Sequence, residues 1–298
     1  MNKGTITPPT WGVCCVALLR ESHPWWQDWI EHHIRAGASK IVVYDNTGSV
    51  GSLNPQSIYR RGTLQRNGIS KRGERYGELT SHWSDSQIRQ EMEALAAEYG
   101  GLVEIVDWFP RHPETREIIH GQVEAYVDFI RRRRATLDWG LFIDADEYVY
   151  CAPEFDVRFL LADCEKRFPN VSLIQLNQIP FEMRWGTTAP KRINDLLARR
   201  LPVPPGAGMK MFARLCDVTD AGIHYEWRVK NGRSRVMASS DQFAFRHHSV
   251  DPKHDLPWLE MDHDPRAFLK QEPSCDLPPV RWKSVNHPSL TAVSRPID

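Results

Sequence analysis

The stretch LFIDADEYVY, Leu141 to Tyr150, places three acidic residues directly after an apolar run. Leu141 to Ile143 has the pattern of a strand that is buried on both faces. Asp144, Asp146 and Glu147 follow where that strand is expected to end. Because unpaired carboxylates are costly to bury, these side chains are expected either to face solvent in a turn or to meet a positive charge.

The composition is that of a globular protein. The chain has 298 residues, 41% of them hydrophobic, which is enough for a substantial core. Lys plus Arg and Asp plus Glu each number 38. The formal net charge is therefore zero, so overall charge favours neither nucleic acid nor an anionic membrane as a partner. The run Arg131 to Arg134 is interpreted as a solvated helix end in preference to a nucleic-acid contact, since cations are favoured at helix C-termini.

The expected localisation is cytoplasmic, with no transmembrane segment. Val13 to Leu19, the longest apolar stretch near the start, is far shorter than the roughly 20 residues of a membrane-spanning helix. The first ten residues, MNKGTITPPT, lack the features of a secretory signal. The six cysteines form no C-x-x-C pair, which disfavours a zinc ribbon or a disulfide framework and favours reduced, mostly buried thiols.

Strand-like and helix-like segments alternate through the first half of the chain, which predicts an α/β fold with a mixed, mainly parallel sheet flanked by helices. The predicted strands are Val13 to Leu19, Ile41 to Tyr44, Leu102 to Trp108, Trp139 to Ile143, Val171 to Leu176, Lys210 to Leu215 and Phe243 to Arg246. The predicted helices run from Pro24 to Gly37, from a cap at Ser84 or Asp85 to Gly100, from near Glu114 to Arg134, and from Phe155 to Phe168.

A single domain is expected over residues 1–250, followed by an extension over 251–298. Eight of the 21 prolines fall in the last 48 residues, which indicates an extended wrap or a partly disordered arm more than a second domain. Residues 53–80 are rich in Gly, Arg and Asn without periodicity and are predicted to form an irregular surface excursion.

Polar residues follow several of the predicted strands. Asp45 follows the second strand, Asp144 the fourth, and the pair Arg20 and Glu21 the first. In an open parallel sheet, ligands bind beyond the carboxyl ends of the strands. A D-x-D sequence there offers two carboxylates that can share Mn²⁺ or Mg²⁺ with diphosphate oxygens, although a chance D-x-D is more often a solvated turn. Phosphotransferases with a nucleophilic aspartate have D-x-D-x-[TV], whereas the fifth position here is Tyr148.

Several motifs resemble those of glycosyltransferase family 92 and related family 2-like enzymes. WWQDWIEHHIRAGASKIVVYDN is similar to the opening of these enzymes, and GQVEAYVDFIRRRRATLDWGLFIDADEYV to their Gln-containing helix and W-x-x-F-x-D-x-D-E-[FY] strand. FEMRWGTT, KMFARLCDVTDAGIHY and FRHHS are looser matches to later segments. The resemblance covers about residues 11 to 250, in the right order.

The resemblance implies a GT-A (Rossmann-like) fold and a nucleotide diphosphate sugar as donor, with a UDP-sugar favoured. Asp45 would contact the base or ribose, Asp144 the ribose or metal, and Lys210 and Arg20 the phosphates. Gln122 is either a donor contact or a partly buried polar residue. The implied donor site comprises Arg20, Glu21, Asp45, Asn46, Gln122, Asp144 and Lys210, and the implied ligands of Mn²⁺ or Mg²⁺ are Asp144, Asp146 and His224.

The implied reaction is inverting transfer of a sugar to a hydroxyl of a glycan or glycoconjugate, in which a carboxylate removes the proton of the acceptor. Asp195 and Glu182 are the candidate bases, with a helix cap or a solvated carboxylate as the alternative for each. A nucleotidyltransferase is a second possibility, disfavoured because LLRESHPWW replaces a Gly-rich loop after the first strand. A non-catalytic carbohydrate-binding module is a third, but it gives no reason for carboxylates at several strand ends.

Overall fold

The computed structural model describes residues 8–19, 25–47, 84–114, 116, 118–151, 156–184, 197–200, 208–224, 226–239, 243–249 and 282–284. Arg20, Glu21, Asp195 and the predicted excursion 53–80 lie outside the described residues, as does the predicted extension except for 282–284.

Four helices and thirteen strands are formed by the described residues. The helices are α1 (Trp26–Arg35), α2 (Asp85–Glu98), α3 (Gln122–Arg133) and α4 (Val157–Arg167). The strands are β1 (Trp11–Ala17), β2 (Lys40–Asp45), β3 (Val103–Asp107), β4 (Trp139–Phe142), β5 (Glu147–Cys151), β6 (Val171–Arg184), β7 (Leu197–Arg200), β8 (Met209–Arg214), β9 (Val218–Asp220), β10 (Arg228–Val229), β11 (Ser234–Ala238), β12 (Phe243–Ser249) and β13 (Trp282–Ser284).

Eleven of these strands form one sheet in the order β13-β11-β6-β8-β4-β1-β2-β3, with β12 pairing β6 and β5, and β7 pairing β6. The part formed by β4, β1, β2 and β3 is entirely parallel. Beyond it, β8 pairs antiparallel with both β4 and β6. Over the whole sheet, five pairings are parallel and five antiparallel. The α/β class and the mixed sheet are confirmed, but parallel pairing dominates only around β1.

The parallel strands are covered on both faces, which explains their continuous apolar sequence. Along β1, Val13 and Cys15 pack in a cluster with α1, α2 and α4, whereas Cys14 and Val16 pack in a second cluster with α3. Cys14, Cys15 and Cys164 are buried and Cys216 is exposed, and none of these four forms a disulfide, so thiols are expected at these positions as predicted; Cys151 is also buried. No helix in the described ranges is both long and apolar enough to span a bilayer.

The second helix begins as its sequence predicts. Ser84 Oγ accepts the Gln87 N–H, and Gln87 Oε1 accepts the Ser84 N–H, which together form a capping box.

Several element boundaries differ from the sequence prediction, and the strands β5, β7, β9, β10, β11 and β13 were not predicted. The third helix begins at Gln122 and not near Glu114, because Gly121 has φ 58° and Ile118 forms a bridge with Arg111. Strand β6 extends to Arg184, since β8 and β7 pair along one edge and β11 and β12 along the other. The strand β5, which follows the acidic cluster, was not predicted.

Candidate functional site

The acidic residues lie in a tight turn between β4 and β5. The Glu147 N–H donates to the Asp144 carbonyl oxygen over 3.1 Å, and Glu147 Oε2 accepts the Asp144 N–H over 2.8 Å. Glu147 therefore closes the turn with its backbone and its side chain together. Asp146, within the turn, is 9% exposed and Glu147 is 3% exposed. The cluster is therefore largely buried, and a positive charge is required beside it.

Lys210, from β8, supplies that charge. Its Nζ lies 2.8 Å from Asp144 Oδ2 and 3.1 Å from Glu147 Oε2. Burial lowers the pKa of Lys210, but the Asp144 and Glu147 carboxylates outweigh burial and raise the pKa well above its ordinary value. Lys210 is therefore a permanent cation.

Gln122 contacts the same aspartate from the first turn of α3. Its Nε2 donates to Asp144 Oδ1 over 2.8 Å and to the Tyr126 hydroxyl over 2.7 Å. Asp144 thus receives Gln122 on one oxygen and Lys210 on the other, while its side chain remains 41% exposed. The contact with Asp144 explains why a glutamine stands at this position. Direct contact between Gln122 and a nucleotide-sugar donor stays a prediction.

Asp45, at the end of β2, is held by a residue that the sequence analysis did not single out. Arg89 from α2 donates through Nη1 to Asp45 Oδ2 over 2.7 Å and to Asp107 Oδ1 over 2.6 Å. Asp45 Oδ1 accepts the Thr47 N–H over 2.9 Å. Burial lowers the pKa of Arg89, but its bonds to Asp45, Glu93 and Asp107 raise it on balance. An arginine on an exposed helix gives no sequence signal of this contact.

Asn46 connects three segments at the same edge of the sheet. Its backbone N–H donates to the Ala17 carbonyl oxygen over 2.9 Å. Its side-chain amide donates to Trp108 O over 2.8 Å and to Ile119 O over 3.2 Å. Asn46 itself is fully buried. This residue therefore aligns the ends of β1 and β3 with the segment that leads into α3.

Helix α1 holds β5, and with it the acidic turn, through side-chain hydrogen bonds to the strand backbone. Trp29 Nε1 donates to the Glu147 carbonyl oxygen over 2.8 Å, and His32 Nε2 lies 2.7 Å from the Val149 carbonyl oxygen. The Val149 N–H donates to His33 Nε2 over 3.4 Å. Since β5 pairs only with β12 among the described strands, the helix takes the place of a second neighbouring strand.

The structure brings some predicted residues together and leaves others apart. Asp144, Gln122 and Lys210 are in direct contact. Asp45 lies at the same sheet edge, and because β1 separates β2 from β4, the two strand ends are about 10 Å apart at about 4.8 Å per strand. His224 Nδ1 lies 3.2 Å from the Met209 carbonyl oxygen, next to Lys210 in sequence. Glu182 lies in β6, paired with Arg199 and Ser249.

The predicted metal ligands do not form a closed triad. In the described part of the chain, no three His, Cys, Asp or Glu side chains are arranged to hold a metal ion. The acidic turn nevertheless suits a hard divalent cation, because its donors are carboxylate oxygens. Asp144 and Asp146 remain the residues expected to hold the ion.

A second residue absent from the sequence prediction contacts Asn46. His120 Nδ1 is 3.3 Å from Asn46 Oδ1. Burial lowers the pKa of His120, the charges of Asp144 and Glu124 raise it, and that of Lys210 lowers it, with burial dominant. Its position two residues before Gln122 is the signal that could have identified it.

No protein-family model matches the chain, and a search of curated proteins finds no significant match. A family assignment consequently depends on the motifs and on the site itself.

Proposed function

We propose that the protein is a metal-dependent glycosyltransferase that moves a sugar from a nucleotide diphosphate sugar, with a UDP-sugar favoured, to a hydroxyl of a carbohydrate or glycoconjugate. One observation carries this proposal. Two carboxylates, Asp45 and Asp144, stand at the carboxyl ends of β2 and β4, on either side of β1, and each is fixed by a buried or half-buried cation. That edge of a parallel sheet is where nucleotide ligands bind.

The spacing of the two carboxylates suits a nucleotide. About 10 Å, two strand spacings, separates a position for the base or ribose at Asp45 from a position for the diphosphate at Asp144. Lys210 and Gln122 fix both oxygens of Asp144, which pre-organises its carboxylate for a ligand on the exposed side. We propose a GT-A arrangement for this part of the sheet on the same grounds.

A divalent cation, held by Asp144 and Asp146 with His224 as the further predicted ligand, would stabilise the departing diphosphate. The residues of the chain then have separate tasks. Asp45 and Asn46 would bind the nucleoside. The first turn of α3, at Gln122, would stabilise the negatively charged diphosphate, since the N-terminus of a helix carries partial positive charge. Asp195 or Glu182 would remove the proton of the attacking hydroxyl.

Thermal unfolding with nucleotides tests the proposal directly. We expect UDP or GDP to raise the melting temperature only when Mn²⁺ or Mg²⁺ is present, because metal and diphosphate share the site. Saturation at about 100 times Kd corresponds to about 2.7 kcal/mol, or roughly 5 °C or more for a domain of this size. Asp146→Asn should remove the shift, and release of free sugar from UDP- and GDP-sugars should identify the donor.

A matched control is available on α4. Asp163 pairs with Arg167 one turn along the helix. Glu165 of the same helix contacts Trp139, at the opposite end of β4 from the acidic turn, so Asp163→Asn should keep the full ligand shift. The absence of a shift with every nucleotide and both ions would overturn the proposal, as would an undiminished shift in Asp146→Asn.

A further inference from the structure

His120 lies between the two ends of the proposed donor site. It contacts Asn46, which directly follows Asp45. On the other side, Asp144 and Lys210 lie close enough for their charges to act on its pKa. Gln122, two residues later, contacts Asp144 directly. His120 therefore lies on the short segment that joins a contact at the nucleoside end of the site, Asn46, to a contact at the diphosphate end, the bond from Gln122 to Asp144.

The hydrogen bonds around Asn46 fix which nitrogen of His120 carries the proton. The Asn46 side-chain amide faces two carbonyl oxygens, those of Trp108 and Ile119. Since carbonyl oxygens only accept, the NH₂ group must face both of them, and Oδ1 is left as an acceptor. His120 Nδ1, 3.3 Å from that Oδ1, is therefore the donor.

The other ring nitrogen is consequently an acceptor. In a neutral imidazole with the proton on Nδ1, Nε2 carries a lone pair. Burial, the largest influence on its pKa, favours this neutral form. Glu124 and Asp144 act in the opposite direction, and Lys210 acts with burial. Within the described part of the chain, no residue forms a hydrogen bond with His120 Nε2.

Because His120 Nε2 is an acceptor, it can bind only a group of the nucleotide sugar that donates a hydrogen bond. Ionised phosphate oxygens have no proton to donate, so they do not pair with a neutral Nε2. In the proposed orientation, with the base or ribose at Asp45 and the diphosphate at Asp144, the transferred sugar would be attached beyond the diphosphate. Ribose lies between the base and the diphosphate, and its hydroxyls are donors.

We propose that His120 Nε2 accepts a hydrogen bond from a ribose hydroxyl of the donor nucleotide, and that His120 thereby selects ribonucleotides. This inference rests on the proposed function. It adds a binding residue and a sugar selectivity that neither the D-x-D sequence nor the contacts of Asp144 contain.

The experiment compares UDP and GDP with their 2′-deoxy and 3′-deoxy forms, each with Mn²⁺, by titration of the full-length protein. Loss of one neutral hydrogen bond is expected to weaken binding about two- to tenfold for one of the two deoxy forms. In His120→Ala, the ribonucleotide should bind as weakly as that deoxy form does, so the ratio between the two ligands falls to about one.

The ratio compares two ligands on one preparation, so a partly unfolded variant does not mimic the result. If His120→Ala does not fold, His120→Phe replaces it: this variant keeps a ring but has no acceptor nitrogen, so the ratio should again fall to about one. His112→Ala, on the same segment but apart from the acidic turn, is the control and should keep the wild-type ratio.

Two outcomes overturn the inference while leaving the proposed function in place. One is equal affinity of the ribose and both deoxy forms for the wild-type protein. The other is an unchanged ratio in His120→Ala, which would assign the hydroxyl to another residue such as Asp144. Failure of every nucleotide to bind would instead reject the proposed function itself.

Discussion

Lys210 and Asp144 form an ion pair of unequal exposure: the lysine side chain is 2% exposed and the aspartate side chain 41%. The cation approaches its carboxylate from inside the protein. The outer side of Asp144 therefore faces solvent while its position is fixed from within. A ligand can meet this carboxylate without displacing Lys210.

Replacing Lys210 with Met should destabilise the protein strongly, since it leaves the buried Glu147 carboxylate without its cation. We expect a loss of about 3 to 5 kcal/mol in the free energy of unfolding, measured by urea denaturation. The pKa of Lys210 is raised in the folded protein. Its contribution is therefore complete below about pH 10, the ordinary lysine range, and lost only at higher pH, so the deficit should stay constant from pH 7 to 9.

Lys230→Met is the control for that measurement. The Lys230 side chain is 59% exposed and 3.8 Å from Asp217, so its removal should cost at most about 1 kcal/mol. Equal losses for the two variants would contradict the structural role assigned to Lys210.

Alanine variants of Gly100 and Gly121 distinguish the cost of backbone strain from the cost of a steric clash, because the two glycines have nearly the same φ. Gly121 has φ 58° and Gly100 has φ 54°. A Cβ at Gly121 would lie 2.3 Å from Pro110 Cγ, whereas at Gly100 it meets nothing within 4 Å. Gly100→Ala should cost about 1 to 2 kcal/mol of unfolding free energy. Gly121→Ala should cost more and should also weaken nucleotide binding, because it shifts His120 and Gln122.

A smaller loss for Gly121→Ala than for Gly100→Ala in thermal unfolding would be incompatible with the contact to Pro110. Unchanged nucleotide affinity in a folded Gly121→Ala protein would show that the start of α3 does not position the residues of the nucleotide site.

Acid should destabilise the protein through His33. Its Nε2 accepts the Val149 N–H, so the ring must be neutral. Burial, and then the neighbouring His32, lower the pKa of His33 well below its ordinary value. The unfolded chain takes up a proton near pH 6.5 while the folded one does not. Stability should fall as the pH drops below about 6.5, by at most about 1.4 kcal/mol per pH unit for this group.

Urea denaturation of His33→Gln between pH 7.5 and 5 should show a shallower dependence than the wild-type protein. Some slope should remain, because burial also lowers the pKa of His120. A slope in His33→Gln identical to that of the wild-type protein would refute the assignment.

Removing Arg89 should affect stability and the nucleoside end of the site together. Arg89→Met leaves Asp45, whose side chain is 4% exposed, without its cation. A loss of about 1.5 to 3 kcal/mol is expected for a hydrogen bond to a charged group, with weaker nucleotide binding in titration. Asp107→Asn changes only a partner that is 66% exposed and should cost less than about 1 kcal/mol. Equal effects would show that Arg89 serves the surface pair alone.

The sequence predicts local structure where the signal lies within one element. The apolar runs of β1, β2 and β4 and the Ser84 cap of α2 are all recognisable from neighbouring residues. The start of α3 was misplaced because Ile118 and Ile119 continue a helical pattern. Only the tertiary contact between Gly121 and Pro110 reveals the break. The antiparallel pairing of β8 with both β4 and β6 is likewise not visible in its sequence, because the pattern of the strand is the same whichever way it runs.

The candidate site shows the same limit. Asp144 could be singled out because three acidic residues follow a buried strand, where unpaired carboxylates are costly to bury. That Lys210 resolves the conflict depends on a contact 66 residues away in sequence. Arg89 gives no local signal, since an arginine on a polar helix surface is ordinary. The folding roles of Trp29, His32 and His33 were hidden because a helix that packs on a core predicts burial but not bonds to a strand.

The hydrogen bonds from α1 to β5 also cover the backbone of a strand edge. A strand edge with open N–H and C=O groups is a template for pairing with another chain. Side chains occupy that edge of β5 at Glu147 and Val149. Detachment of α1 from β5 would therefore disturb the acidic turn and would also expose an unpaired strand edge, through which two copies of the chain could pair and aggregate.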